Sequence, residues 1–436
     1  MNQRNNGIDL KQIAQMHPAD IAGLIRKMDH DERSDLFAAL DYNKAAQILS
    51  ELDPQSEYEL LRELSSFKIS KLIEKMPPDE AADILSELSS EKQKNVLNLM
   101  TKEGSKEVQQ LLKYDEESAG GLMTTNFLTL NENLTASRAI EALRQFAKDT
   151  QTQIVYVYIL NDNNDFIGVM PIKKLISAAA NARLHQLVNR NTITVDPELD
   201  QEEVAHIVSK YNLLAVPVVD KSKKLLGIIT VDDVIDVIKE EDAEDIYRMA
   251  GISHEEIYRQ SAIKIVQQRL PWLVATLIGG IIVATLIRNF QTTLQEVIAL
   301  AFFIPVITGM GGNVGIQSST MTVRGLATGN IDINNFKNVI FKELRQALIM
   351  GVICGLVVGV VAYLFDNNPI LGLVLTIAMF TAILVAASIG VLVPLIFEKI
   401  KIDPAIASGP FITTANDITG VLIYFLMATW LFGLFT

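Results

Sequence analysis

The chain has 436 residues, of which 49% are hydrophobic, with a mean hydropathy of +0.25 and a formal net charge of −13. These values are too apolar for a soluble protein of this size and too charged for a chain buried throughout, so they imply a split architecture. From Leu270 onward seven acids balance seven bases, which leaves the net negative charge in residues 1–269, a body that does not suit nucleic acid or anionic headgroups and whose acidity serves either cations or solubility alone.

The first residues, Met1 to Asp9, are polar and lack the apolar centre of a cleaved signal peptide, so none is expected. Residues 10–120 read as short amphipathic helices. A related pattern recurs at His17-Pro18-Ala19-Asp20-Ile21-Ala22-Gly23-Leu24, at Asn43-Lys44-Ala45-Ala46-Gln47-Ile48-Leu49 and at Pro77-Pro78-Asp79-Glu80-Ala81-Ala82-Asp83-Ile84-Leu85. Helices recurring in this way predict a small superhelical domain. After Pro78, the acids Asp79, Asp83 and Glu87 fall at i, i+4 and i+8 on one face. Like charges at that spacing repel, so the face favours a cation.

From Gly121 to Asp242 strands alternate with helices, and the pattern occurs twice. The first copy is Ile154 to Ile159, a hairpin turn at Asn161 to Asp165, then Phe166-Ile167-Gly168-Val169-Met170-Pro171. The second is Leu214 to Val219, a turn at Asp220 to Lys224, then Leu225-Leu226-Gly227-Ile228-Ile229-Thr230, so Gly168 and Gly227 correspond. Beyond it, Asp233, Asp236, Glu240 and Glu244 run at helical spacing for three turns, and the stripe leads through Ile246 to Arg269. A helix dipole accounts for acids at the start of this helix but not for their continuation. A linker helix is therefore expected to run into the first apolar span.

Five stretches are long and apolar enough to cross a bilayer: Leu270 to Ile287, Val297 to Val323, Ala347 to Phe365, Ile370 to Phe397 and Ile406 to Phe435. Basic residues cluster before the first span and between the second and third (Arg324, Lys337, Lys342, Arg345) and the fourth and fifth (Lys399, Lys401). The positive-inside rule thus places the N-terminal half in the cytoplasm and, with five crossings, the C-terminus outside. The second span is expected to be interrupted by Pro305 and by the polar, glycine-rich run Thr308 to Thr320, which reads either as the lining of a water-filled path or as helix packing through small residues; packing alone does not require Asn313 and Gln317.

The fifth span carries Asp417, which a helix starting near Pro404 would place roughly 20 Å along its axis. An ionised carboxylate there needs water, a cation or a partner charge, and no basic residue lies inside any span. An ion path and a protonated or capping carboxylate are the two readings. Across a symmetric dimer axis two such carboxylates suit hydrated magnesium, which sheds its water reluctantly.

The duplicated unit resembles a pair of CBS modules, the second ending in Gly227-Ile228-Ile229-Thr230-Val231-Asp232-Asp233, similar to that family's nucleotide signature. The resemblance implies that Thr230 and Asp233 contact an adenine nucleotide such as ATP. Pro171 and Lys174 replace these residues in the first module, which leaves one intact site.

In order along the chain, Pro77 to Asp83, Thr230 to Val237, Gly311 to Gln317 and Gly409 to Gly420 resemble the MgtE family of magnesium channels. The implied architecture is a multidomain membrane protein. It has an all-α superhelical N-terminal domain (1–120), an α/β CBS pair (121–242), a linker or plug helix (243–269) and a five-helix transmembrane domain (270–436). The family implies a homodimer in the plasma membrane with a pore lined by the second and fifth spans. It gives Asp417 as pore metal site, Asn313, Gln317, Gly409, Pro410 and Thr413 as lining, and Asp79, Asp83, Asp233, Asp236, Glu241, Glu244 and Asp245 as holders of regulatory Mg2+.

Two other transport or sensing roles fit the residues: a cation-coupled magnesium exchanger and a membrane-anchored nucleotide sensor. An enzyme does not fit. The five histidines (His17, His30, His185, His206, His254) have no metal-ligand spacing, and there is no nucleophile constellation or phosphate loop. The single cysteine, Cys354, excludes a disulfide within the chain.

Overall fold

The repeated N-terminal motifs form helices because each begins with the right cap. The computed structural model describes residues 16–28, 32–33, 36–37, 40–149, 154–252, 262–331, 336–407 and 409–435; His30, His254 and Ser408 lie outside the described residues. Among the described residues, seven N-terminal helices follow one another: α1 Pro18–Ile25, α2 Tyr42–Ser50, α3 Pro54–Glu63, α4 Ser66–Ile73, α5 Pro78–Ser86, α6 Ser90–Leu99 and α7 Lys102–Leu111. Asp41, Asp53, Ser65, Ser89 and Thr101 accept backbone N–H groups at five of the starts, and Pro18, Pro54 and Pro78 open helices where no N–H is needed. Helices this short are marginal alone. They are held by packing of α2 on α4, α4 on α6 and α5 on α7, around Ile21, Ile48, Leu49, Ile69 and Leu85, all at 0% exposure.

The chain then passes through α8 Ala119–Leu122, β1 Thr129–Asn131, α9 Ala136–Asp149, β2 Tyr156–Leu160, β3 Phe166–Pro171, α10 Ile172–Ser177, α11 Leu184–Leu187, α12 Gln201–Tyr211, β4 Ala215–Val219, β5 Leu225–Thr230 and α13 Val231–Met249. β1 runs parallel to β2, which pairs antiparallel with β3; β4 pairs antiparallel with β5. The two hairpins share a register: Ile159 faces Gly168 with the next pair shifted, and Val218 faces Gly227 with the same shift. The modules also exchange edges, since Thr124 bridges Ile228 and Asn189 bridges Val169. The two corresponding glycines permit this approach. A Cβ at Gly227 would lie 2.6 Å from the Met123 side chain, and one at Gly168 would overlap the Asn189 carbonyl.

By contact the chain divides into two units, Met1–Lys239 and Glu240–Thr436, each with its own core. The linker helix expected to run into the first span ends earlier. α13 stops at Met249, where Gly251 adopts φ +72° and the N–H groups of Gly251 and Ile252 bond back to Arg248 and Tyr247. These bonds satisfy the last carbonyls and close the helix in a Schellman turn. Residues 253–261 of the expected linker lie outside the described residues.

The second unit contains α14 Ala262–Asn289, α15 Gln291–Glu296, α16 Leu300–Ala327, α17 Phe336–Asp366, α18 Pro369–Lys399, a 3-10 turn at Pro404–Ala407 and α19 Gly409–Phe435. Five of these helices are long and apolar enough to cross a membrane, as expected. α18 is the hub: it packs on α16, α17 and α19, while α14 packs on α19. Along α17 the glycines 351, 355 and 359 let its backbone meet α18; a Cβ at Gly355 would lie 2.7 Å from the Thr376 carbonyl oxygen.

The expected interruption of the second span is absent. α16 runs unbroken through Pro305 and the glycine run. Pro305 lies only five residues past the helix start, and Gly311, Gly312 and Gly315 face a neighbouring helix, where close packing compensates their weak helix propensity, while Gly309 is exposed.

Candidate functional site

In the first unit, α5 and the start of α13 bring together acids far apart in sequence. Asp79 is 8% exposed, and its Oδ1 has no hydrogen-bond partner among the described residues. Burial, opposed by a Thr124 hydrogen bond and reinforced by Glu80 and Asp232, pushes its pKa up to about 6. Asp233, partly buried, is likewise pushed up to about 6 by burial and by the charges of Asp79 and Asp232. Asp83 is exposed on α5, and desolvation by its surroundings, then the charges of Asp79, Glu116, Asp233 and Glu80, push it up to about 7. Glu80 is raised by burial, then by Asp233, Glu51 and Asp232, and accepts a hydrogen bond from Ser50.

The cluster thus contains the expected Asp79, Asp83 and Asp233. It also contains Glu80 and Asp232, which sequence spacing did not single out. Among the described residues no three such side chains converge tightly enough to ligate a metal directly. An oxygen-only donor set that is gathered but not closed suits a cation holding its own water.

Asp236 does not join the cluster. One turn beyond Asp233, it is exposed and pairs with Lys239 at 2.6 Å. Glu241, Glu244 and Asp245 belong to the second unit. Glu241 is partly buried; Glu244 pairs with Arg248, which also pairs with Asp403, and Asp242 pairs with Arg324. Asp245 is raised by burial, against the pull of Arg248. This end of α13 therefore meets the last turn of α16 and the connection after α18, and a Cβ at Gly409 would overlap the Met249 carbonyl.

Thr230 donates its hydroxyl to Asp233 Oδ2 at 2.5 Å. Both line a cavity of about 1040 Å³ in the first unit, walled also by Phe127, Tyr156, Tyr158 and Ile228 and reaching Asp79 and Asp232. A wall of aromatic and aliphatic side chains beside convergent polar groups suits a nucleoside. In the first module Pro171 caps α10 without a side-chain hydrogen bond, and Lys174 is exposed.

In the second unit Asp417 lies eight residues past the start of α19. That is about 12 Å along the helix, less than expected, because Pro404–Ala407 forms a 3-10 turn rather than helix. Asp417 is half-buried, as are Thr413, Gly409 and Pro410. Asn313 and Gln317 are exposed on one face of α16, whereas Gly311, Gly315, Ser318 and Ser319 are buried on another. The buried Asn416, which sequence reasoning passed over beside Asp417, has neither amide atom hydrogen-bonded among the described residues.

Residues 304–427 match the family described as MgtE, divalent cation transporter; residues 16–117 match the MgtE intracellular N domain, and 119–181 and 184–240 match CBS domains. The magnesium transporter MgtE of Bacillus subtilis (strain 168) is 37% identical over 325 residues, covering 74% of this chain and 72% of that protein. Its counterpart in Enterococcus faecalis (strain ATCC 700802 / V583) is 41% identical over 323 residues, covering 74% and 71%. A crystal structure of the cytosolic domain of the Mg2+ channel MgtE in complex with ATP superimposes with a TM-score of 0.50 at 32% identity, over 52% of this chain and 93% of that one.

Proposed function

This chain belongs to the MgtE family of divalent cation transporters, and we propose that it is a Mg2+-selective channel that admits magnesium through the plasma membrane as a homodimer. It is a transporter and not an enzyme. The observation that carries the reading is Asp417, a half-buried carboxylate in an apolar helix whose residues 409–434 include no basic side chain. Such a group is costly in hydrocarbon unless a cation or water meets it. Asn313 and Gln317 support the same path, since exposed amides on a membrane helix call for water or a second protein surface. With a second copy opposite, paired Asp417 carboxylates hold magnesium through its water shell, and Gly409, Pro410 and Thr413 line the approach.

In this reading residues 1–120 and the CBS pair 121–242 form the sensor, with the N-terminus in the cytoplasm and the C-terminus outside. Cytosolic Mg2+ neutralises the cluster at Asp79, Asp83 and Asp233 and favours the closed channel. The end of α13, with Glu241, Glu244 and Asp245, passes that bias to the pore domain. Asp236 takes part only by adding to the field, given its exposure and its Lys239 partner. An adenine nucleotide, held at Thr230 and Asp233, shares Asp233 with the cluster and so shifts the magnesium response. Because the ion binds one state better, its concentration alone moves the population.

Flux measurements in liposomes test both parts. Asp417→Ala abolishes Mg2+ uptake while protein in the membrane stays constant. Replacing Asp79, Asp83 and Asp233 together by Asn moves inhibition by magnesium on the cytosolic side to at least tenfold higher concentration. Uptake that survives Asp417→Ala, or an unmoved inhibition curve, rejects the corresponding part.

A further inference from the structure

Asn416 stands next to Asp417 and points into the protein. It is 1% exposed, so the neighbouring positions of α19 divide: one side chain is sealed among helices, and the next, about 100° round the axis, is half-open. The seal has a definite shape. A Cβ at Gly315 of α16 would overlap Asn416 Nδ2 and lie 2.9 Å from Ile412 Cγ2, one turn earlier on α19. On another side of α16, a Cβ at Gly390 of α18 would lie 2.5 Å from the Gly315 carbonyl oxygen. At Gly315, α16 is therefore gripped by two helices and has no room for a side chain.

Neither polar atom of the Asn416 amide has a hydrogen-bond partner among the described residues. Leaving such a group buried without partners is costly, so the contact does not stabilise through hydrogen bonding. What it supplies is fit: a short, flat side chain in the notch of a glycine. We infer that Asn416, seated against Gly315, is a positioning residue that sets the rotation of α19 and so aims the Asp417 carboxylate at the ion. The inference rests on the proposed role of Asp417.

The test uses the full chain in liposomes and reads two quantities. These are Mg2+ flux and the concentration of hexaamminecobalt(III), a stand-in for a hydrated divalent ion, that halves it. Gly315→Ala lowers flux at least thirtyfold, because its methyl expels the amide. Asn416→Ala lowers flux about threefold and shifts the half-blocking concentration at least fivefold, without loss of protein from the membrane. The double variant, with the methyl filling the space the amide leaves, recovers to the level of Asn416→Ala. A purely structural contact would change the amount of folded protein and leave the blocking concentration unmoved.

The inference is overturned if Gly315→Ala behaves as the parent, if the double variant is no better than Gly315→Ala, or if Asn416→Ala leaves block unchanged. Asp417→Ala, measured alongside, separates the failures. Loss of uptake in that variant with unchanged block in Asn416→Ala rejects only the positioning role. Unaltered uptake in Asp417→Ala rejects the ion site and the inference with it.

Discussion

Burial, reinforced by the charge of Asp79 on α5, pushes up the pKa of Asp233, on the helix that closes the second CBS module. Two acids about 150 positions apart are thus held in one cleft where neither ionises freely. The arrangement stores repulsion that a cation or a proton relieves.

A pH dependence follows from the direction of these shifts. Asp79 and Asp233 rise from 3.8 to about 6 and Asp83 to about 7, so the folded cluster binds protons that the unfolded chain has released. Its contribution is fully present below the unfolded carboxylate pKa and is lost as pH climbs through 6 to 7. In chelator, the thermal midpoint of the first unit's transition should therefore fall by on the order of 5 °C between pH 5.5 and 8. Millimolar Mg2+ should restore it at pH 8. Calorimetry showing a rise across the same interval would contradict the stored repulsion.

Much of this was legible because it depends on local chemistry. Asp41, Asp53, Ser65, Ser89 and Thr101 announce their helices by capping them, and the apolar runs are long enough to be spans whatever packs beside them. What spacing left open is which way a face turns. Asp236 follows Asp233 at helical spacing yet is exposed and paired with Lys239, whereas Glu80 feels the charges of Asp233 and Asp232. The continuity expected from Asp242 to Arg269 ignored Gly251, whose positive φ ends the helix. The notch at Gly315 depends on two other helices, so no window along α16 reveals it.

The nucleotide site has its own signature. Thr230→Val keeps the volume but removes the hydroxyl that bonds Asp233, while Lys174, at the matching place in the first module, is exposed. A lost hydrogen bond to a charged group costs about 1.5–3 kcal/mol. Titration calorimetry should show ATP binding weakened at least tenfold by Thr230→Val and less than twofold by Lys174→Ala. Equal losses would place the nucleotide elsewhere in the cavity.

Helix approach in the membrane unit is equally specific. A Cβ at Gly359 would overlap the Thr376 hydroxyl and lie 2.6 Å from the Gly372 carbonyl oxygen, whereas Gly433 has nothing within 4 Å. Overpacking a tight contact costs about 1–3 kcal/mol. Gly359→Ala should lower the thermal midpoint of the detergent-solubilised protein by several degrees, and Gly433→Ala should leave it in place. The reverse order would mean that α17 and α18 do not meet along this stripe.

The ion pairs at the end of α13 differ in how much they can hold. Arg324 and Asp242 are about half exposed, at 56% and 47%, and water screens such a pair to about 0–1 kcal/mol. Arg248 is less exposed, at 36%, and serves Glu244 at 23% and Asp403 at 24%. It ties α13 to the turn that precedes α19, so its loss leaves two part-buried carboxylates facing each other without a cation. If these pairs favour the closed channel, Arg248→Ala should raise flux at inhibiting magnesium several-fold and Arg324→Ala less than twofold. Arg248→Lys, which keeps the charge but cannot reach two carboxylates with one planar fork, should fall between them. Flux recordings in which Arg324→Ala has the larger effect would assign the latch to the last turn of α16 instead.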